Sequence, residues 1–248
     1  VDAFPDPAAT RLVAVNALYV KGGWQQDFYN LRPETFFGHK GEEKCTFMTQ
    51  SGISYGYYQA EGMQFATLPF VSGGYRMFFA LPADHSPTAL VDLVASITPE
   101  KWQAMLSCGG QVAERYFLAI HAPQFRIESM AESLKENLAA LGVNLGGGTY
   151  NGMLENPKED LLLSKFVQRA MIDVDEKGVE AAAVTAAEVA AGAALEETEP
   201  VFYEMTLDRP FVYGLLDGAD NVLFLGALQN APSSAGPELR PGQGMTEL

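Results

Sequence analysis

The sequence predicts an α+β fold with several sheets and a minority of short helices. Three observations carry that expectation: apolar runs rich in β-branched and aromatic residues, a glycine turn set between two of them, and two helix starts in which a hydroxyl residue precedes proline. With 248 residues, 48% of them apolar and 19% charged, the chain has material for a substantial core and lacks the composition of a disordered one.

Leu12–Val20 is almost continuously apolar, broken by Asn16. Its Val13, Val15, Tyr19 and Val20 favour a pleated backbone, so a strand covered on both faces is expected. Phe65–Phe70 and Tyr75–Leu81 flank Ser72-Gly73-Gly74 and read as a hairpin. Ser86-Pro87 and Thr98-Pro99 predict short helices running through Val94 and through Leu106. Ser129-x-x-Glu132 has the form of a capping box, with Met130, Leu134, Leu138 and Leu141 on one helical face and Gly142 as the stop. Leu161–Val174 is a longer extended run, and Met205–Leu216 and Val222–Leu228 are expected as closing strands around the turn at Asp217-Gly218. The expected organisation is a single-domain portion over residues 1–232, followed by a tail at 233–248 whose Pro, Gly and Ser content argues against regular structure.

A net charge of −15 argues against nucleic acid or an anionic membrane surface as partner, because phosphate must be neutralised by Lys and Arg. No apolar run reaches the roughly 18 residues of a membrane span, and no signal peptide is visible at Val1-Asp2-Ala3-Phe4-Pro5, which does not look like a natural start. The two cysteines, Cys45 and Cys108, allow either one bridge or two free thiols. Catalytic motifs are missing: no nucleophile elbow, no paired-histidine zinc motif, no phosphate loop. The histidines His39, His85 and His121 are scattered, and Gly146-Gly147-Gly148 lacks the spacing of a dinucleotide site. An enzyme is not expected, and no cofactor or metal is implied.

Function concentrates in Glu176–Glu197, EKGVEAAAVTAAEVAAGAALEE. Alanine content alone favours an exposed helix. Read with a period of two, however, Val179, Ala181, Ala183, Thr185, Ala187 and Val189 form one small, uncharged face, while Glu180, Val184 and Glu188 lie on the other. A strand with that first face could enter a sheet without bulky groups blocking it.

Several motifs resemble those of the serpin family, in the family's order. Asn16-Ala17-Leu18-Tyr19-Val20-Lys21-Gly22-Gly23-Trp24 with Phe28 is similar to the strand that enters the breach. Phe65–Phe70 and Tyr75–Pro82 are similar to paired strands of the second sheet, and Pro123-Gln124-Phe125 to the Pro-x-Phe segment. Asp175–Ala183 is similar to the hinge of the reactive loop, and Arg209-Pro210-Phe211 with Leu223–Gly226 to the C-terminal strands. The chain therefore resembles the C-terminal portion of a serpin, of bacterial type, with the family's first helices and early strands outside it. An isolated piece of that kind is not expected to inhibit a protease.

The resemblance implies an inhibitor of serine proteases that acts as a suicide substrate, a monomer, with a secreted or extracellular location. It implies a reactive loop at about 176–204, with Glu176, Gly178, Val179, Glu180, Ala181, Ala182, Ala183 and Thr185 as hinge. The family's count from Glu176 points to the bond Gly192-Ala193, and candidates for the residue before the cut are Ala191, Gly192, Ala193, Ala194 and Leu195. Small side chains there suit elastase-like or subtilisin-like enzymes. Asn16, Lys21 and Trp24 take breach and shutter positions, and Gln168 stands where the family usually has His. Val179 replaces the usual Thr. The alternative within the family is a non-inhibitory binding or chaperone module.

Overall fold

The computed structural model describes residues 12–20, 22–52, 56–60, 62–71, 74–107, 116–131, 134–145, 150–154, 161–179 and 201–232. The strands, in order, are β1 (Val13–Tyr19), β2 (Gly22–Gly23), β3 (Tyr29–Gly38), β4 (Gly41–Gly52), β5 (Gly56–Ala60), β6 (Met63–Pro69), β7 (Arg76–Pro82), β8 (Tyr116–Pro123), β9 (Phe125–Ala131), β10 (Lys165–Asp175), β11 (Gly178–Val179), β12 (Val201–Thr206), β13 (Phe211–Leu216) and β14 (Val222–Leu228). Three helices, α1 (Ala89–Ala95), α2 (Pro99–Leu106) and α3 (Leu134–Ala140), complete the described elements with one 3-10 turn at Asn151–Met153. The chain divides into two compact units, Val1–Val20 with Ile127–Ile172, and Lys21–Arg126 with Asp173–Leu248.

In the first unit β1 runs parallel to β10, from Val13 opposite Lys165 to Tyr19 opposite Met171, which sets Asn16 opposite Gln168. A parallel pair needs a long crossover between its strands, and the residues between them supply it. β9 also pairs with β10, and Arg169 reaches Glu128 at 3.0 Å. Helix α3 begins at Leu134, not after Ser129: Ser129 and Met130 belong to β9, whose pairing with β10 outweighs the local capping signal. Its end is as expected. Gly142, at φ +85°, donates to the Ala139 carbonyl, and Val143 to that of Leu138, so two otherwise orphaned carbonyls are satisfied. The expectation that β1 is covered on both faces is not met, since Val15 is 59% and Tyr19 46% exposed. The described helix of this unit, α3, has no buried residue.

The second unit holds two sheets. One has the order β14-β13-β7-β6-β5 and the other β12-β8-β4-β3. The expected hairpin is β6 and β7, antiparallel from Met63 opposite Pro82 to Pro69 opposite Arg76. Phe65 and Phe78 stack across it at 5.6 Å, and Trp102 of α2 meets both rings edge-on at 5.9 and 5.3 Å. Leu90 and Leu93 of α1 and Met105 of α2 complete this core. Thr98 caps α2 by accepting from the Lys101 N–H at 3.2 Å. Helix α1 starts later than Ser86-Pro87 suggests, at Ala89, with Thr88 at its N-cap and no side-chain capping bond. Ser86 instead donates its N–H to Asp84.

The extended run Met205–Leu216 is two strands in two sheets. β12 ends at Thr206 and pairs in parallel with β8, whereas β13 starts at Phe211 between β14 and β7. Between them lies Asp208-Arg209-Pro210, and proline has no N–H to continue a ladder. The turn after β13 is held by Asp217, whose Oδ1 accepts from the Ala219 and Asn221 N–H groups at 2.8 and 2.9 Å.

Gly214 lies at the centre of β13, where a Cβ would sit 2.5 Å from the Phe224 carbonyl oxygen and against the Phe78 ring. Gly214→Ala in the full-length protein should therefore cost about 3 kcal/mol through overpacking. At Gly152 a Cβ meets nothing within 4 Å, and Gly152→Ala should stay within about 0.5 kcal/mol. Urea unfolding midpoints check both, and a Gly214→Ala protein as stable as the parent would contradict the packing described.

Candidate functional site: the hinge and its anchor

At the end of β10 the chain reverses. Asp175 Oδ1 accepts from the backbone N–H groups of Lys177 and Gly178 at 2.9 and 3.1 Å, a side-chain-closed turn typical of Asp. Gly178 follows at φ +151°, a conformation that L side chains rarely adopt. The returning pair Gly178-Val179, β11, is antiparallel to Val174-Asp175 on one side and to Gly22-Gly23 on the other. A Cβ at Gly178 would lie 2.6 Å from the Gly23 Cα and would strike the Gly22 carbonyl. Glycine is the residue that fits.

Trp24 fastens the turn. It is 2% exposed, stacked on Phe70 at 4.9 Å and edge-on to Phe28 at 5.5 Å. Its indole N–H donates to the Asp175 carbonyl and its backbone N–H to the Lys177 carbonyl, both at 3.0 Å. Phe28 N–H donates to the Glu176 carbonyl at 2.7 Å, and Gln124 Nε2 to the Glu176 carboxylate at 2.7 Å. Three successive carbonyls of the turn thus have donors, which matters because buried backbone groups without partners cost about 1–3 kcal/mol each. Burial pushes the Asp175 carboxyl above its ordinary range, with Glu176 and Asp173 adding to the rise against the two N–H groups that favour its charged form.

Of the residues singled out in the sequence, Trp24, Glu176, Gly178 and Val179 come together here. Asn16 and Gln168 face each other in the first unit, Asn16 exposed and Gln168 half-buried. Lys21, Glu180, Ala181, Ala182, Ala183, Thr185, Ala191, Gly192, Ala193, Ala194 and Leu195 lie outside the described residues, as do Cys108, the glycines at 146–148, Glu132 and the tail from Ser233. Cys45 is a buried free thiol, pushed up to about 11 by burial first and then by Glu34 and Glu43. His121 sits between Thr49 Oγ1 at 3.1 Å and Glu204 Oε1 at 3.6 Å on β8. His39 and His85 line a cavity of about 250 Å3 with Phe37, Asp84, Pro82 and Pro210. Among the described residues no group of His, Cys, Asp and Glu could hold a metal ion, and no helix is long and apolar enough to cross a membrane. Sequence reasoning overlooked Phe70 and Gln124 as parts of the anchor. Only their place at strand ends could have marked them.

Asp175 gives the turn a pH signature. A carboxyl whose folded-state pKa is raised stabilises most below the ordinary value of 3.8 and loses that contribution as pH rises through the folded value. Asp175→Asn keeps an acceptor oxygen for Lys177 and Gly178 but carries no charge. Its melting temperature relative to the parent should therefore climb between pH 4 and neutrality and then level off. A difference that is flat or falls with pH would contradict the desolvation account.

A family model for Serpin (serine protease inhibitor) matches residues 1–231. Antithrombin-III of Homo sapiens is 34% identical over 229 residues, which is 89% of this chain and 47% of that protein. Leukocyte elastase inhibitor of Equus caballus is 30% identical over 231 residues, 88% of this chain and 58% of that protein. Among solved structures, Serpin48, described as a highly specific serpin of the insect Tenebrio molitor, matches with a TM-score of 0.67 at 26% identity, over 90% of this chain and 57% of its own. The chain spans 47% and 58% of the length of those two curated relatives. With the family model matching nearly the whole sequence, the chain belongs to the serpin family.

Proposed function

We propose that the whole protein inhibits serine proteases as a suicide substrate, the cleaved loop after Val179 inserting as a new strand between β1 and β10. Loop insertion as strand addition, the general mechanism of inhibitory serpins, supplies the frame. The observation that carries the reading for this chain is a match of registers. Gly22 and Val174 flank Val179 with the same sequence offset that separates the directly paired partners of β1 and β10. Extending β11 without a slip therefore sets Ala181 between Val20 and Ile172, Ala183 between Leu18 and Ala170, and Thr185 between Asn16 and Gln168. The strand enters antiparallel to both neighbours, the direction in which the Gly178 turn already points.

Those positions must be small and neutral, since an unpaired buried charge costs several kcal/mol. Ala181, Ala183, Thr185 and Ala187 satisfy the demand. In the chemistry proposed, the protease serine attacks the scissile carbonyl, the new amino terminus leaves and an ester to the enzyme remains. Insertion then carries the enzyme away before water cleaves the ester. The chain acts as a consumed partner in a covalent complex, not as a catalyst, and it acts as a monomer. No Lys or Arg occurs between Lys177 and Arg209, which removes trypsin-like targets and favours elastase-like or subtilisin-like enzymes with shallow pockets. Leukocyte elastase inhibitor among the relatives points the same way.

Mixing the full-length protein with an elastase-like and a trypsin-like protease should give an SDS-stable complex with the first and none with the second. Loop cleavage without any such complex would favour a binding or chaperone role instead.

Ala181→Arg separates insertion from recognition. Val20 and Ile172, its proposed neighbours, are 8% and 2% exposed, so the guanidinium would enter a packed interior. Ala182→Arg is the control, because its neighbours in the same register are Tyr19, 46% exposed, and the half-buried Met171. Ala181→Arg should raise the number of inhibitor molecules consumed per protease inactivated by about tenfold or more, with the cleavage site unchanged by mass spectrometry, and Ala182→Arg by much less. Equal stoichiometries for parent and Ala181→Arg would overturn either the face assignment or the insertion.

A further inference from the structure

The 3-10 turn at Asn151–Met153 carries the only Asn-Gly pair in the sequence, Asn151-Gly152. Asparagine is chemically labile, and most so before glycine, where no side chain hinders attack by the following backbone nitrogen. Asn151 Oδ1 accepts from the Leu161 N–H at 2.8 Å, and the Tyr150 N–H donates to the Leu161 carbonyl at 2.8 Å. These bonds clip down the lead-in to β10, where Leu161 and Leu163 are buried, Lys135 Nζ donates to the Leu163 carbonyl at 3.2 Å and the Ser164 N–H to that of Leu12 at 2.8 Å. The turn itself is lightly held. It has no buried residue, Met153 is 69% exposed, and its closures are the Met153 N–H on the Tyr150 carbonyl and the Leu154 N–H on that of Asn151. Segments with so few buried contacts open locally at small free-energy cost. At Gly152 even an added Cβ would meet nothing within 4 Å, so the backbone there is open to move.

We infer that Asn151 is a site of spontaneous deamidation, gated by opening of this turn. The Gly152 backbone nitrogen gives its proton to solvent base and attacks the Asn151 side-chain carbon Cγ. The side-chain amide nitrogen takes up a proton and leaves as ammonia, and a cyclic succinimide remains. Water then opens the ring. Cleavage of the new Cγ–N bond gives aspartate, whereas cleavage of the original peptide C–N bond gives isoaspartate, whose main chain runs through Cβ and Cγ. Nothing is oxidised or reduced, and water is the only co-reactant. Ring closure requires the Asn151 ψ to leave the value of about −20 to −30° that a 3-10 turn imposes, and it requires the side chain to let go of Leu161. The closed turn is therefore protected and the open turn reacts. The two products differ in what they can restore. Aspartate keeps an acceptor oxygen on the same side-chain arm for the Leu161 N–H. Isoaspartate adds a methylene to the main chain and shortens that arm, so neither the clip nor the turn closures re-form, and the hold on the start of β10 is lost for good. None of this depends on whether the protein inhibits a protease.

The test incubates the full-length protein at neutral and at mildly alkaline pH beside an unstructured peptide containing the sequence Tyr150–Met153. Peptide mapping by mass spectrometry should show the fragment with Asn151 heavier by about one mass unit, in two chromatographic forms of which an isoaspartyl methyltransferase labels one. Conversion should be faster at the higher pH, slower in the protein than in the peptide, and faster again in guanidinium chloride below the unfolding midpoint, which opens the turn while the fold persists. Gly152→Ala should slow it several-fold, because a methyl group crowds ring closure, while the unfolding midpoint stays near that of the parent. In hydrogen exchange the Leu161 amide of the isoaspartate form should lose its protection, and Asn151→Asp, which keeps an acceptor oxygen, should retain it. Asn151 unchanged both in buffer and in guanidinium chloride, over a period in which the peptide converts fully, would overturn the site. Conversion as fast in the protein as in the peptide would overturn the gating, and an isoaspartate form with Leu161 still protected would overturn the clip.

Discussion

The absence of a side chain at residue 178 lets one stretch of backbone lie between two others. Gly178 fits between the Asp175 backbone and Gly23 with its neighbours almost touching, and a methyl group there would collide with the Gly22 carbonyl. Everything else at this turn follows from keeping the chain in that place. Asp175 closes the turn, Trp24 donates two hydrogen bonds to it, and Phe70 holds the indole ring flat. Gly22 is small because the Phe70 ring lies 3.3 Å from where its Cβ would be. A glycine on one strand and a packed tryptophan on the next are therefore one device, since the close approach allowed by the first is held by the second.

The same device bears on the energetics of the proposed insertion. β1 and β10 are parallel, with slanted and slightly less stable hydrogen bonds than an antiparallel pair makes. An inserted strand would replace that single ladder with two antiparallel ones and bury small apolar side chains besides. The cost falls at the start, when direct pairs such as Asn16 with Gln168 must part. Beginning from β11 reduces that cost, because the first two residues are already paired on both sides and the next ones enter like teeth of a zip. Gln168 matters in this account for its place in the seam, opposite Asn16 before insertion and beside Thr185 after it. An amide can donate and accept at both stages.

Much of this was legible in the sequence, and what was not has a common cause. The hairpin β6–β7, the capped helix α2 and the long strand β10 follow from local pattern alone, since turn glycines, a hydroxyl before proline and β-branched runs act within a few residues. Gly178 stood out because its neighbours are a motif. The misreadings arose where distant pairing decides. Ser129 and Met130 have the local signs of a helix start, yet β10 recruits them into β9. Met205–Leu216 looks like one strand until Arg209-Pro210 breaks it and β8 and β7 claim its halves. The β3–β4 hairpin escaped notice because its outward positions, such as Glu42, Glu43 and Lys44, mask the alternation of Cys45 and Phe47. Phe70 and Gln124 joined the anchor only through residues far along the chain.

The composition of the loop also bears on the proposed insertion. Alanine, glycine and leucine at the candidate cut sites offer a protease little to recognise, and one methylene in a hydrophobic pocket discriminates by only about 1–3 kcal/mol. A loop of small residues is nonetheless what insertion demands, since each inward side chain must pass between β1 and β10. Larger or charged recognition groups in the loop would therefore slow the proposed insertion.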